Sequence, residues 1–215
     1  RMVVVMTIGL ISAGTLGFFF FEFDNTMLRY PAPVKLMTAL FQSVTCRTAG
    51  FNTLDVSSFR EVSLFIAIIL MFIGASPAST GGGIKTTTFA VLALAARAHL
   101  SSRGKVETCN RSISPETVYK SIAILLYFTF FIAIITILLL ATQKGGFLSL
   151  LFEAVSAIGT VGLSTGITPD LNATGKVLVS LLMYVGRVGP LTIALALGEK
   201  RRPSIEFPST RIIVG

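Results

Sequence analysis

The chain contains one design written twice. F-Q-S-V-T-C-R-T-A-G-F-N-T at Phe41 to Thr53 returns, with one residue inserted, as F-E-A-V-S-A-I-G-T-V-G-L-S-T at Phe152 to Thr165. Each copy then runs into an apolar segment with a matching core: M-F-I-G at Met71 to Gly74 and M-Y-V-G at Met183 to Gly186, a constant offset of 112 residues. A repeat kept in both places is a structural unit, so the fold has to accommodate two similar bodies in tandem. The order within each is long apolar segment, short apolar segment, Thr-x-Gly turn, long apolar segment.

The lengths of those segments decide the solvent. A helix needs about 20 apolar residues to cross the hydrocarbon of a bilayer, and four stretches are long enough: Met2 to Phe21, Val62 to Ala96, Ser121 to Gln143 and Val177 to Gly198. With 53% hydrophobic residues, 17 Phe and 13% charged residues in 215, the chain is too apolar for a water-facing surface. The first stretch is longer than a secretory signal's apolar region and lacks both a basic leader beyond Arg1 and a small-residue cleavage site.

A formal charge of +8 would point to nucleic acid in a soluble protein. Here the cations sit where topology needs them: Arg97, Arg103, Lys105, Arg111 and Lys120 between the repeats, and Lys200, Arg201, Arg202 and Arg211 in the tail. Basic loops stay cytoplasmic, so both ends of each repeat are expected inside and the 22–61 and 144–176 segments outside. Acidic Glu22, Asp24, Asp55, Glu61, Glu153 and Asp170 are expected at that outer mouth, where a cation is tolerated. Cys46 and Cys109 fall on opposite sides of the membrane and cannot pair. His99 reads as a solvated interfacial histidine, and no His, Cys and carboxylate cluster has metal-ligand spacing.

Val34 to Cys46 and Phe147 to Ile158 are too short to cross, so each enters and turns back. Irregular backbone at membrane depth is tolerated only where it lines water or protein. The T-A-G-F and T-V-G-L turns, Thr48, Ala49, Gly50 and Phe51, then Thr160, Val161, Gly162 and Leu163, are therefore expected along an aqueous path. They follow the C-terminal ends of the short helices, whose partial negative charge favours a cation. Gly50 and Gly162 open backbone angles closed to other residues. Potassium channels select with carbonyl rings in T-V-G-Y-G filters; these turns keep Thr-x-Gly but lack the second glycine, so selection should be looser.

The 35 residues from Val62 to Ala96 would reach about 50 Å as one helix, well beyond a core of about 30 Å. The break is written into Gly74, Ala75, Ser76, Pro77, Ala78, Ser79, Thr80, Gly81, Gly82, Gly83, Ile84, Lys85 and Thr86, continuing to Thr88. Proline and consecutive glycines there oppose a continuous helix. A phosphate-binding loop fails as an alternative, because Ile84 separates Gly83 from Lys85 and no strand precedes it. A lipid-facing kink would leave Lys85 in hydrocarbon. Arg187 is the one charge between Val177 and Gly198, and a centred arginine needs a cavity or a partner, a carboxylate being one candidate. Arg47 is expected to brace the short helix from behind, away from the ion path.

Taken together, these motifs resemble, from end to end, the second half of a Ktr-type potassium translocation subunit in the Trk/Ktr/HKT superfamily of cation transporters. The resemblance implies an all-α integral membrane fold of two tandem helix, pore helix, filter turn, helix units, half of a four-unit potassium-channel-like pore. The units would span residues 1–98 and 121–215, joined by a cytoplasmic connection over 99–120, with two further units in a longer polypeptide. Potassium would bind at the Gly50 and Gly162 turns. The Gly74 to Thr86 loop would be an intramembrane gate, with Arg187 pointing into the pore and contacting it.

The resemblance further implies potassium uptake across the plasma membrane of a bacterium, sodium as an activator, a homodimer with a C-terminal contact ending at Gly215, and a cytoplasmic ring of nucleotide-binding regulatory subunits. No covalent cofactor, nucleic-acid partner or enzymatic activity is expected. The alternative is a secondary transporter binding another small cation or solute at a midplane site made of broken helices. Those usually carry inverted repeats, whereas both repeats here start and end inside.

Overall fold

The computed structural model describes residues 2–77, 79, 81–101, 107–108 and 111–189. Among the expectations above, those on Arg1, Ala78, Thr80, Arg103, Lys105, Cys109 and everything from 190 onward, the basic tail and the C-terminal contact included, lie outside the described residues.

The described chain is mostly helical. α1 is Met2–Glu22, α2 Ala32–Thr45, α3 Glu61–Phe72, α4 Thr86–Leu100, α5 Pro115–Thr142, α6 Phe147–Ile158 and α7 Ala173–Val188, with 3-10 turns at Val56–Ser58 and Thr168–Asp170. Among the described residues the departures from an all-helical reading are a two-residue antiparallel ladder in the connection, Glu107 opposite Ser112 and Thr108 opposite Arg111, and an isolated parallel bridge between Ile73 and Ile84.

Local chemistry sets the helix ends. α5 starts where the Ser114 side chain accepts the Thr117 N–H, with Pro115 in the first turn and Glu116 facing the helix's positive end. α7 starts at Asn172, whose side chain accepts the Gly175 N–H. α4 closes with Arg97 and His99 in its last turn, the Arg97 cation against its negative end.

Among the described residues two helices, α1 and α5, are long and apolar enough to cross a membrane, with mean hydropathies of 2.1 and 2.9. The third apolar stretch is divided: α3 stops at Phe72 and α4 resumes at Thr86. The fourth is described only through its first part, as α7.

The short helix α6 lies at the centre. Phe152, Ala154, Val155, Ala157 and Ile158 are buried, and α3, α5 and α7 all pack against it. α2 packs on α1. Burial of Phe18, Met71, Leu139, Leu150 and Leu182 makes one continuous core across both repeats. On the outside, Val4, Val5, Ile8, Phe20, Phe65, Leu126, Phe130, Ile137 and Tyr184 are exposed. Apolar surface on that scale is what a bilayer covers and water does not.

Candidate functional site

Each short helix stops inside the bundle and hands over to its Thr-x-Gly turn. α2 ends at Thr45 and α6 at Ile158. In both turns the threonine and the glycine are left-handed: Thr48 at φ 72° and Gly50 at 74°, Thr160 at 52° and Gly162 at 91°. Alternating handedness swings consecutive peptide planes the same way, gathering N–H groups on one side and carbonyls on the other. Glycine takes this conformation freely; a β-branched threonine does so only under constraint. Two threonines held there cost about 1–3 kcal/mol each, which the surrounding contacts must offset.

Related contacts serve both copies. The Thr45 Oγ1 donates to the Phe51 carbonyl and accepts the Phe51 N–H, both at 2.8 Å. The Ser156 Oγ donates to the Leu163 carbonyl at 2.6 Å. A hydroxyl six or seven residues back, near the end of the short helix, thus holds the residue after each turn glycine. The Val161 N–H also donates to the Ser156 carbonyl at 2.9 Å, and the Gly50 N–H to the Thr45 carbonyl at 3.2 Å.

The two turns are neighbours in space. A Cβ built on Gly50 would fall on the Val161 carbonyl oxygen. The Gly74 to Thr86 loop lies against both: the Gly82 N–H donates to the Thr160 Oγ1 at 2.7 Å. A Cβ on Gly81 would stand 2.7 Å from the Thr48 Oγ1, and one on Gly82 would stand 2.7 Å from the Ile158 carbonyl. Side chains at these positions would push the loop off the turns.

Arg187 lines a cavity of about 500 Å³ along the second turn, together with Thr160, Gly162, Met183, Ser164 and Glu153. Immediately before it, Gly186 packs so closely on the Ile158 carbonyl that a Cβ would overlap it.

Three residues have roles the sequence did not foretell. Arg47 is not behind α2. Its guanidinium reaches the Gly74 carbonyl at 3.4 Å and the Thr7 carbonyl at 3.5 Å, joining α1 to the loop, because α2 ends at Thr45, two residues before it, and frees its side chain to cross the gap. Glu22 and Glu153, expected at the outer mouth, are both buried and spent on hydrogen bonds.

Glu22 accepts from Asn25 Nδ2 at 2.7 Å, Thr26 Oγ1 at 2.8 Å and the Arg60 N–H at 3.0 Å. Glu153 accepts from the Ser164 hydroxyl, from Thr168 Oγ1 at 3.1 Å and from the Thr165 N–H at 3.2 Å, pinning the strand that leaves the second turn. The available signal was position. Glu153 sits one residue after the repeat's phenylalanine and seven before Thr160, where a side chain on α6 faces the returning chain. Asp55 is a surface charge, and hydrogen bonds from Ser57 and Ser58 hold its carboxyl below the usual carboxylate range.

Apolar helices surrounding two short ones that end at backbone-lined turns define an integral membrane protein. The chain belongs to the TrkH family of cation transport proteins, which matches residues 2–206. It is 37% identical over its whole length to the Ktr system potassium uptake protein B of Bacillus subtilis, covering 49% of that protein. It is likewise 37% identical over its whole length to the protein of the same description in Vibrio alginolyticus, covering 48% of it.

With the potassium/sodium uptake protein NtpJ of Enterococcus hirae it shares 32% identity, over 88% of this chain and 44% of the relative. The chain spans about half the length of the curated relatives it matches. Its fold is that of the potassium transporter TrkH from Vibrio parahaemolyticus, with a TM-score of 0.74 at 21% identity over 90% of this chain and 43% of that one. These relatives are transport proteins, not enzymes.

Proposed function

We propose that the chain forms half the wall of a potassium uptake pore in a plasma membrane, passing dehydrated ions along the carbonyls of Thr48 to Phe51 and Thr160 to Leu163. The observation that carries this reading is the pairing of the two turns. Each follows the negative end of a helix aimed into the bundle, each has left-handed Thr and Gly, and Gly50 abuts the Val161 carbonyl. Carbonyls so placed replace water around a cation. Two further repeats of the longer polypeptide complete the ring.

The loop from Gly74 to Thr86 is the gate, lying on the turns with Arg187 and Arg47 at its borders; an arginine close to the path also repels waiting cations. The whole protein is a homodimer on a cytoplasmic nucleotide-binding ring, with sodium as activator. Support for these last points is the similarity to Ktr-system proteins.

The test is potassium and sodium uptake by the full polypeptide in potassium-depleted proteoliposomes, wild type against Gly50→Ser. Potassium uptake that exceeds sodium uptake, with the preference reduced in the variant, is the expected result. Uptake of neither ion, or identical ion preference in the two proteins, would overturn the assignment.

A further inference from the structure

The segment between α3 and α4 is tied to itself more firmly than to anything else. The Ile84 N–H donates to the Phe72 carbonyl at 3.1 Å and the Thr86 N–H to the Ala75 carbonyl at 3.3 Å, closing the base of the loop. Inside it, Lys85 Nζ donates to the Gly81 carbonyl at 2.6 Å and to the Ser79 carbonyl at 3.1 Å. Gly74 and Gly82 approach so closely that a Cβ on the first would overlap the carbonyl of the second. A loop stitched this way moves as one piece.

What fastens that piece to the turns is sparse. Among the described residues the short hydrogen bond across the gap is Gly82 N–H to Thr160 Oγ1, at 2.7 Å and 78 positions apart in sequence. The Arg47 contact to the Gly74 carbonyl is long, at 3.4 Å, and the Arg47 Nε is buried without a partner, so it grips weakly.

We propose that the Thr160 hydroxyl is shared between gate and filter: it latches the loop through the Gly82 N–H when the path is closed and becomes a cation ligand when the loop leaves. The inference rests on the pore reading above and adds a coupling to it. A threonine hydroxyl carries one hydrogen and two lone pairs. An amide hydrogen aimed at that oxygen brings partial positive charge to the place where a cation would bind, so loop and ion compete. Thr160 is the first residue of its turn, next to the loop, and its left-handed backbone holds the side chain toward Gly82. Coupling of this kind is reciprocal: potassium at the inner end of the turns loosens the loop, and release of the loop strengthens potassium binding there.

The experiment uses the full polypeptide in proteoliposomes, with Cys46→Ala and Cys109→Ser, and with Ser79→Cys as a reporter on the exposed side of the loop. Labelling by a membrane-impermeant maleimide from the cytoplasmic face is timed in potassium and in sodium, and uptake is measured on the same vesicles. The expected labelling rate is about fivefold or more higher in potassium than in sodium, the lower end of ordinary coupling.

Thr160→Val should label fast in both salts, with a ratio near one, and Thr160→Ser should recover the potassium response. Gly82→Ala, whose added methyl meets both the Ile158 carbonyl and the Thr160 Cγ2, should push the loop off the turn and also label fast in both, while keeping the Thr160 hydroxyl in the chain. Potassium uptake accompanied by a labelling rate indifferent to potassium, or a Thr160→Val protein with the unsubstituted potassium response, overturns the shared hydroxyl and leaves the pore reading standing. Absence of potassium uptake over sodium in the unsubstituted protein overturns both.

Discussion

Gly50 and Gly162 hold matching places in the repeat but face different neighbours. An added Cβ at Gly50 overlaps the Val161 carbonyl, whereas at Gly162 it meets nothing within 4 Å among the described residues. Both substitutions carry the penalty of a left-handed backbone, about 1–2 kcal/mol; only the first also displaces a carbonyl of the opposite turn. Gly50→Ala is therefore expected to lower potassium-over-sodium uptake more than Gly162→Ala, and equal losses in paired uptake assays would count against the packing of the two turns.

The hydroxyl clamps rank in a similar way. Thr45→Val strips both the Phe51 N–H and the Phe51 carbonyl of their partner, whereas Ser156→Ala strips only the Leu163 carbonyl. Leaving a buried polar group unsatisfied costs about 1–3 kcal/mol, so Thr45→Val should show the larger drop in thermal midpoint in detergent.

The outer ends of the helices are fastened by one device used twice. Glu22, at the end of α1, accepts the N–H of Arg60 at the start of α3, at 3.0 Å. Gln143, at the end of α5, accepts the N–H of Asn172 at the start of α7, at 2.9 Å. A carbonyl-type oxygen on one helix thereby caps the next and fixes the frame from which α2 and α6 descend. Glu22→Gln replaces one acceptor oxygen with a donor among three strong donors, so a loss of about 1–3 kcal/mol is expected in denaturant or thermal unfolding. An unchanged midpoint would mean the staple does not hold the frame.

Much at this scale was legible beforehand. Gly74, Pro77 and the three glycines at 81–83 announced the break between α3 and α4, and Phe147 to Ile158 matched α6 residue for residue. Charge was read less well. The burial of Glu22 and Glu153 was not legible, because donors 38 residues away for Glu22 and 11–15 residues away for Glu153 complete their hydrogen bonding. Arg47 was misplaced for the same reason: its partners, Thr7 and Gly74, come from other elements.

At the scale of the whole molecule, the apolar flanks of the long helices and the basic connection between the repeats together make a topology that can be tested. α1 and α5 expose Val5, Ile8, Phe20, Leu126, Phe130 and Ile137 along their flanks, a surface matched to lipid tails. Their ends are expected on opposite aqueous sides. The connection after α4 carries Arg97 and His99 at the helix end, and basic connections remain cytoplasmic. Asn172 and Gln143 lie at the far end of the same bundle, since α5 runs the full span between Pro115 and Thr142.

Two exposed positions mark the two ends: Ser101, the cap of α4, and Thr174, in the first turn of α7. In the full polypeptide freed of its native thiols, Ser101→Cys should react with an impermeant maleimide only from the cytoplasmic side, and Thr174→Cys only from the outside. Both reacting from one side would place the connection and the start of α7 in the same compartment. α5 would then have to lie along the membrane instead of crossing it, and with α6 packed against it the turns at Thr48 and Thr160 could not share an axis through the bilayer.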